Sequence, residues 1–461
     1  MIESCLIDLK NKIYGYFQKK FEKIYNNSLI LQKIDDIIFL FIGITLFAST
    51  FMPSESIGAF AIAVVLLTFV KLFVKPNAKV AMTSWDAAIA VYFIICFIST
   101  INSTLVPQSI HGFLKTVIYI FYYFCAVNYF QTNQNKIKYI FLLVGSLCCV
   151  EGVIAIYQNF AGVEQISTWQ DSRYVNPEDI IARAYGTLKP YNPNLLGGYL
   201  VAGMAYVAGI VAMFLVNKNW KRLIFAIAAL LVCSLAVFVT GSRGAYLGLG
   251  AIFAVMILLV TFIINIDFSQ AEKLKSIWHK VVASIIGLFV LVLIAVPKIT
   301  KRILSIFILR GDSSTSFRMN VYHSSWQMFC DNWLLGIGAG NQTFREIYGL
   351  YMLTGFDALS TYSVPLEIAV ESGIFGLIAF FAFLGVFLID SYKFLKSVNN
   401  TNSLADKIVV CCAILTIAGV MTHGLFDTIY FRPQVQFLFW TMIAMASSVL
   451  VKKEIKDTCE E

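Results

Sequence analysis

The chain has 461 residues, of which 59% are hydrophobic and 13% charged, with a formal net charge of +8. Soluble domains carry about 45–50% apolar and about 25% charged residues, so a water-soluble enzyme is excluded. Apolar runs of about 20 residues recur, continuous rather than alternating, which selects membrane-spanning helices and excludes a β-barrel.

Residues 1–36 are polar and basic, with Leu6, Leu9, Ile13, Phe17 and Phe21 at helical spacing and Lys10, Lys12, Lys19, Lys20 and Lys23 between them. This pattern predicts an amphipathic helix on an anionic leaflet or, alternatively, a frayed basic tail. The first apolar run begins near Ile37, too far along for a cleavable signal peptide. Twelve spans follow, near 37–52, 57–75, 84–101, 114–130, 137–159, 194–216, 221–240, 243–265, 279–297, 364–390, 405–423 and 433–451. The expected fold is an all-α polytopic bundle over 37–451. Long loops at 161–193 and 298–363 interrupt it, the second a large extracytoplasmic subdomain between spans nine and ten. A tail over 452–461 follows.

Lysine and arginine near span ends set the orientation. With the N-terminus in the cytoplasm most basic residues lie inside, so both termini are expected there and both long loops outside. The two basic types then separate. Arg173, Arg183, Arg243, Arg302, Arg310, Arg318, Arg345 and Arg432 fall outward, and only Arg222 inward, whereas lysine shows the opposite bias. Topology is indifferent to the type of positive charge, but arginine presents a planar fork that grips phosphate. The distribution points to an outward phosphate or diphosphate site; the alternative is ion pairing with Asp171, Glu178, Asp179, Asp312, Asp331, Glu346 and Asp357. The cysteines sit mostly in apolar runs and form no CxxC pair, so neither a disulfide framework nor a metal site is expected.

Several constellations carry candidate chemistry. In Arg183–Leu200 (RAYGTLKPYNPNLLGGYL), Asn194 is a possible helix cap or a donor to sugar hydroxyls. In Thr240–Gly250 (TGSRGAYLGLG), Arg243 is held in a tight turn at a helix start, to bind an anion or to snorkel to headgroups. The loop 298–363 holds Arg310, and in SFRMNVYHSSWQMF it places Arg318, Tyr322 and Trp326 four apart on one helical face, to meet a sugar diphosphate or to pack on the bundle. GIGAGN (336–341) precedes a helix, but no strand precedes it, so no nucleotide cofactor is expected. Glu367 and Glu371 share a face near the outer end of span ten, as a general base or as arginine partners. His423, Asp427 and Arg432 cluster in the last outer turn, as an acid–base pair or a structural hydrogen bond.

In this order and spacing, over roughly residues 180–440, these stretches resemble the O-antigen ligase and polymerase superfamily. The resemblance implies transfer of a glycan from an undecaprenyl-diphosphate carrier to a lipid or glycan acceptor, outside the bacterial inner membrane. It implies no metal, no nucleotide and no nucleic-acid partner, with membrane lipids as surroundings. It also implies that Arg243 and Arg318 hold the diphosphate. The ligases carry a His-Asn pair nine residues before the glutamate that matches Glu371; here the pair is Tyr362-Ser363, so either Tyr362, Glu367 or His323 assists the acceptor hydroxyl or the base is dispensable. The wording STYSVPLEIAVESG is similar to a branch once described as associated with bicarbonate transport. A glycan polymerase, a small-anion transporter and a non-catalytic scaffold therefore stand beside the ligase reading. Glu151 in span five is the chief polar residue that a transporter could use.

Overall fold

The computed structural model describes residues 2–76, 78, 80, 82–162, 183–267, 272–295, 313–397 and 403–460. The described residues form helices and no strand. In chain order these are α1 (Ile2–Asn27), α2 (Leu29–Gln32), α3 (Ile34–Phe51), α4 (Ser54–Val74), α5 (Asp86–Asn102), α6 (Val106–Thr132), α7 (Ile137–Ala161), α8 (Pro193–Val216), α9 (Trp220–Val239), α10 (Arg243–Asp267), α11 (Glu272–Ala295), α12 (Ser313–Asp331), α13 (Asn341–Tyr348), α14 (Val364–Lys396), α15 (Leu404–Gly424) and α16 (Pro433–Glu460). A helix stands at each of the twelve expected spans. Ten are long and apolar enough to cross a membrane; α5 is apolar but only 17 residues long, and α11 is not among the ten.

The bundle is built around α16, whose stretch from Gln434 to Val451 is wholly buried, with α3, α6, α8 and α15 packed on it. Lipid offers no hydrophobic gain between helices, so close packing and interhelical hydrogen bonds hold such a core. Tyr206 donates to the Leu438 carbonyl at 2.7 Å, Tyr199 shares a 2.7 Å bond with Thr50, and Trp85 donates to Tyr123 at 2.8 Å.

The two ends of the bundle use different charges. At one end Asp35 meets Lys71 at 2.7 Å and also Lys75, Asp267 takes Lys407 at 2.6 Å, and Asp36 faces Lys136 at 3.3 Å. Helix α1 docks at this end: Tyr14 and Phe17 pack edge-on against Phe73, and Gln18 donates to the carbonyls of Leu72 (2.9 Å) and Ala78 (3.0 Å). The other end carries Arg183, Arg243, Arg318 and Arg432.

One span departs from a plain helix. At Gly373 the backbone of α14 turns to φ 67°, ψ −172°. The break frees carbonyls that lipid cannot satisfy, and the segment between α12 and α13 takes them up. Ile337 N–H donates to the Val370 carbonyl at 2.9 Å, Gly338 N–H to the Glu371 carbonyl at 3.1 Å, and Ile374 N–H returns a 2.8 Å bond to the Trp333 carbonyl. GIGAGN is thus a plug for a broken helix, its three glycines at positive φ. The Ser103 hydroxyl adds a 2.6 Å bond to the Ile337 carbonyl. Helix α12 rests on α14, and α13 on α6.

Candidate functional site

The arginine end is organised by a relay through three segments distant in sequence. The segment before α8 is strapped to the bundle. Gln158 Oε1 accepts from the N–H groups of Tyr185 (3.1 Å) and Gly186 (2.8 Å). Glu151, wholly buried, accepts from Thr187 N–H at 2.9 Å and also from the Thr187 hydroxyl. The strap holds Arg183, which donates through Nε to the Thr240 carbonyl at 2.9 Å and through a terminal nitrogen to Asn194 Oδ1 at 2.6 Å. Asn194 lies in the first turn of α8, its N–H capped by Asn192 Oδ1 at 2.8 Å, and its amide donates to Asp427 Oδ2 at 2.8 Å. Arg318 of α12 faces the same Asp427 oxygen at 3.9 Å.

Arg318 also stands over the ring of Tyr362, 5.6 Å from its centroid. Tyr322, one turn along α12, donates to the Tyr362 carbonyl at 3.2 Å. Tyr362 sits at φ 56°, a left-handed conformation that costs a non-glycine residue about 1–3 kcal/mol. Glu367 accounts for its persistence: only 1% exposed, it accepts the Thr361 N–H at 2.7 Å. That bond and the Tyr322 bond to the Tyr362 carbonyl contribute about 0.5–1.5 kcal/mol each and together offset the strain in part or whole. Burial and Asp427 push the Tyr362 phenol up, Arg318 and Arg432 pull it down, and the balance leaves it at about 12. Burial likewise raises the Tyr322 phenol above its ordinary range.

Arg243 opens α10 and is half-buried. Its neighbour Gly244 lies against the His423 ring, so that a Cβ there would come within 3.1 Å of Nε2. His423 is fully buried, and neither ring nitrogen has a hydrogen-bond partner among the described residues. It lies within electrostatic range of Asp427 and Arg318, which links the Arg243 turn to the relay. Arg432 is exposed and acts electrostatically on Glu367 and Tyr362.

Beneath this cluster lies a cavity of about 50 Å³, lined among others by Tyr92, Lys115, Asn341, Glu371, Tyr430 and Gln436. At roughly 10–15 Å³ per water it has room for a few waters and none for a sugar ring. Glu371 accepts the Gly340 N–H at 2.7 Å, and Lys115 of α6 also lines the cavity.

The structure therefore brings together Arg183, Asn194, Arg318, Tyr322, Tyr362, Glu367, His423 and Arg432, with the Arg243 turn beside them and Glu371 below. Trp326 does not join: it is 55% exposed and packs on Phe329 at 5.3 Å. Arg310 lies outside the described residues. Of the alternative ion pairs, Arg345 with Asp357 at 2.8 Å is present at the exposed rim. Sequence reasoning passed over Lys115, whose signal was a lone cation inside an apolar run, and Gln158, which carries none. Among the described residues no group of three or more His, Cys, Asp or Glu side chains could hold a metal.

This is a multi-pass membrane protein with a cationic site at one end of its bundle. Residues 228–381, which span Arg243, Arg318 and both glutamates, match the family model described as O-antigen ligase. The chain is also similar to the teichuronic acid biosynthesis protein TuaE of Bacillus subtilis (strain 168), with 23% identity over 379 residues, 78% of this chain and 72% of the relative. Through residues 228–381 the chain is thus similar to the O-antigen ligase family.

Proposed function

We propose that the protein is a membrane glycosyltransferase of cell-envelope polysaccharide synthesis. It moves a glycan from an undecaprenyl-diphosphate carrier to an acceptor sugar at the outer face of the cytoplasmic membrane, with both termini inside. The observation that carries this reading is the relay Arg183–Asn194–Asp427–Arg318, which gathers arginines at one end of a bundle whose other end is charged by lysine. A diphosphate gains negative charge as its bond to the anomeric carbon breaks. Guanidinium groups already fixed at that position lower the barrier without a metal. Arg318, steadied by Tyr362 and Asp427, and Arg243, at a helix N-terminus, are the groups assigned to that task. Arg183 and Asn194 position the cluster, and the exposed Arg432 offers a further contact for the donor.

The acceptor is open between a lipid-linked core sugar and a growing glycan. The relative's name associates that protein with a polysaccharide, teichuronic acid, which supports the polymerase form as a second reading. A small-anion transporter loses its chief support, because Glu151 is engaged by Thr187 rather than facing a pathway. The test uses the full-length protein in nanodiscs with a lipid-diphosphate-linked glycan and a sugar acceptor. Release of lipid diphosphate together with glycan transfer, both lost in Arg318→Ala, is the expected result. Labelled-anion flux in proteoliposomes without any transfer would establish the transporter instead.

A further inference from the structure

Among the described residues three carboxylates lie at or beneath the arginine cluster, and they differ in what remains free. Glu367 is sealed in the protein and is committed to the Thr361 N–H. Glu371 accepts the Gly340 N–H and lines a cavity too small for a sugar ring. Asp427 lies in the turn after α15. Its Oδ2 is fixed by the Asn194 amide at 2.8 Å and by Arg318 at 3.9 Å, whereas Oδ1 has no partner among the described residues and is not sealed off, the side chain being 15% exposed. A carboxylate with one oxygen held and the other open has the form of a positioned base.

We propose that Asp427 is the catalytic base that takes the proton from the acceptor hydroxyl, an inference that rests on the glycosyl-transfer reading above. The position Tyr362-Ser363 offers no imidazole for this task, and the Tyr362 phenol, held at about 12, stays protonated at neutral pH. In the step, the acceptor O–H proton moves to Asp427 Oδ1 as the hydroxyl oxygen bonds to the anomeric carbon. The bond from that carbon to the diphosphate oxygen breaks, and its electron pair leaves on undecaprenyl diphosphate. Arg318 stands between the two negative groups. One terminal nitrogen faces Asp427, and a guanidinium has five N–H donors in all, which leaves others for the departing diphosphate.

Asp427→Asn keeps the size of the side chain and an oxygen for Asn194, but removes the basicity. It is expected to bind a lipid-diphosphate-linked glycan as the parent protein does and to transfer it about 10²–10⁴-fold more slowly. Azide, which has no proton to lose, should then restore turnover of the donor by forming the glycosyl azide; a merely structural role for Asp427 would not give that product. Asp427→Glu should keep transfer to the sugar acceptor without azide. If Asp427→Asn does not fold, Asp427→Ser with added formate answers the same question, because a free carboxylate that replaces the base restores transfer. Normal transfer by Asp427→Asn overturns the assignment. So does a parallel loss of donor binding, which would make Asp427 only a support for Arg318, or a folded, donor-binding variant that azide does not rescue. Normal transfer by Arg318→Ala and Arg243→Ala is a different failure, that of the glycosyl-transfer reading itself.

Discussion

Substitution of Arg318 separates what this residue does for the fold from what it does for the reaction. Among the described residues it meets the Tyr362 ring at 5.6 Å and Asp427 at 3.9 Å. A cation–π contact of partial exposure contributes about 1 kcal/mol, and an ion pair at this distance and exposure about 0–1 kcal/mol. Arg318→Ala should therefore cost about 1–2 kcal/mol of stability, a few degrees of thermal midpoint at most. Loss of one pre-positioned donor to a developing anion typically costs about 10²–10³ in rate, or roughly 2.7–4 kcal/mol of barrier. Arg318→Lys keeps a charge for Asp427, so its stability should return to within about 1 kcal/mol of the parent; its transfer should stay low, because an ammonium has no fork. The same pattern is expected at Arg243. Arg345, whose partner Asp357 is half-exposed at the rim, is the control and should tolerate alanine. The assay is glycan transfer from the lipid carrier in membranes at matched protein level, with the thermal midpoint of the purified protein beside it. Normal transfer by both alanine variants, or a loss that only follows the loss of folded protein, would refute the reasoning.

Four further outcomes are expected. Glu151→Ala, which strands the Thr187 N–H and hydroxyl, should lower stability by about 1–3 kcal/mol and speed proteolysis between residues 183 and 192, while Glu151→Gln should do neither; equal cleavage of both would show that the strap is not held there. Gly373→Ala must adopt φ 67° and drive a Cβ into the Leu334 carbonyl, so a loss of about 2 kcal/mol or more in the denaturation midpoint is expected, whereas Gly385→Ala in the same helix meets open space and should be neutral or stabilising. The raised Tyr362 phenol matters only at alkaline pH: below pH 10 both states are protonated, and between 10 and about 12 the unfolded chain alone releases the proton, so stability falls there; Tyr362→Phe should flatten that fall, and parallel curves for the two proteins would count against the shift. Cysteines placed at Ser314 and Asn341 should react with an impermeant reagent from outside and one at Ser397 only after the membrane is opened, the reverse pattern inverting the site.

The helices were legible because a run of about 20 apolar residues has one physical use, and each expected run is helical. The separation of arginine from lysine was legible too, since Lys71 of α4 and Lys136, just before α7, lie at one end with Asp35 of α3 while Arg183, Arg243 and Arg432 come at the other. Helical spacing correctly put Arg318 and Tyr322 on one side of α12, but Trp326, four residues further, lies past the edge of the cluster. The break at Gly373 was illegible. VESGIFG reads as uninterrupted apolar helix, and what opens it is the arrival of Ile337 and Gly338 from a segment about 35 residues earlier. The same holds for Tyr362, whose left-handed backbone depends on a glutamate that the sequence offered equally as a base or as an arginine partner. Gln158 looked like any polar residue near a span end, and its use as a clamp on Tyr185 and Gly186 exists only once α7 and the strap are folded together.

The mended break in α14 bears on how such proteins can be recombined. Because Val370 and Glu371 borrow N–H groups from Ile337 and Gly338, the segment holding α12 and α13 is not a removable cover. A chimera that exchanged residues 313–348 for those of a relative, and left α14 in place, would keep its backbone pairing only if the donor plug had the same length and the same glycine conformations. The smallest exchangeable cassette runs instead from the start of α12 to a point past Gly373. Such a cassette carries Arg318, Tyr362, Glu367 and Glu371 with it, so within this architecture the α12–α13 segment and half of the charged site would be inherited as one unit.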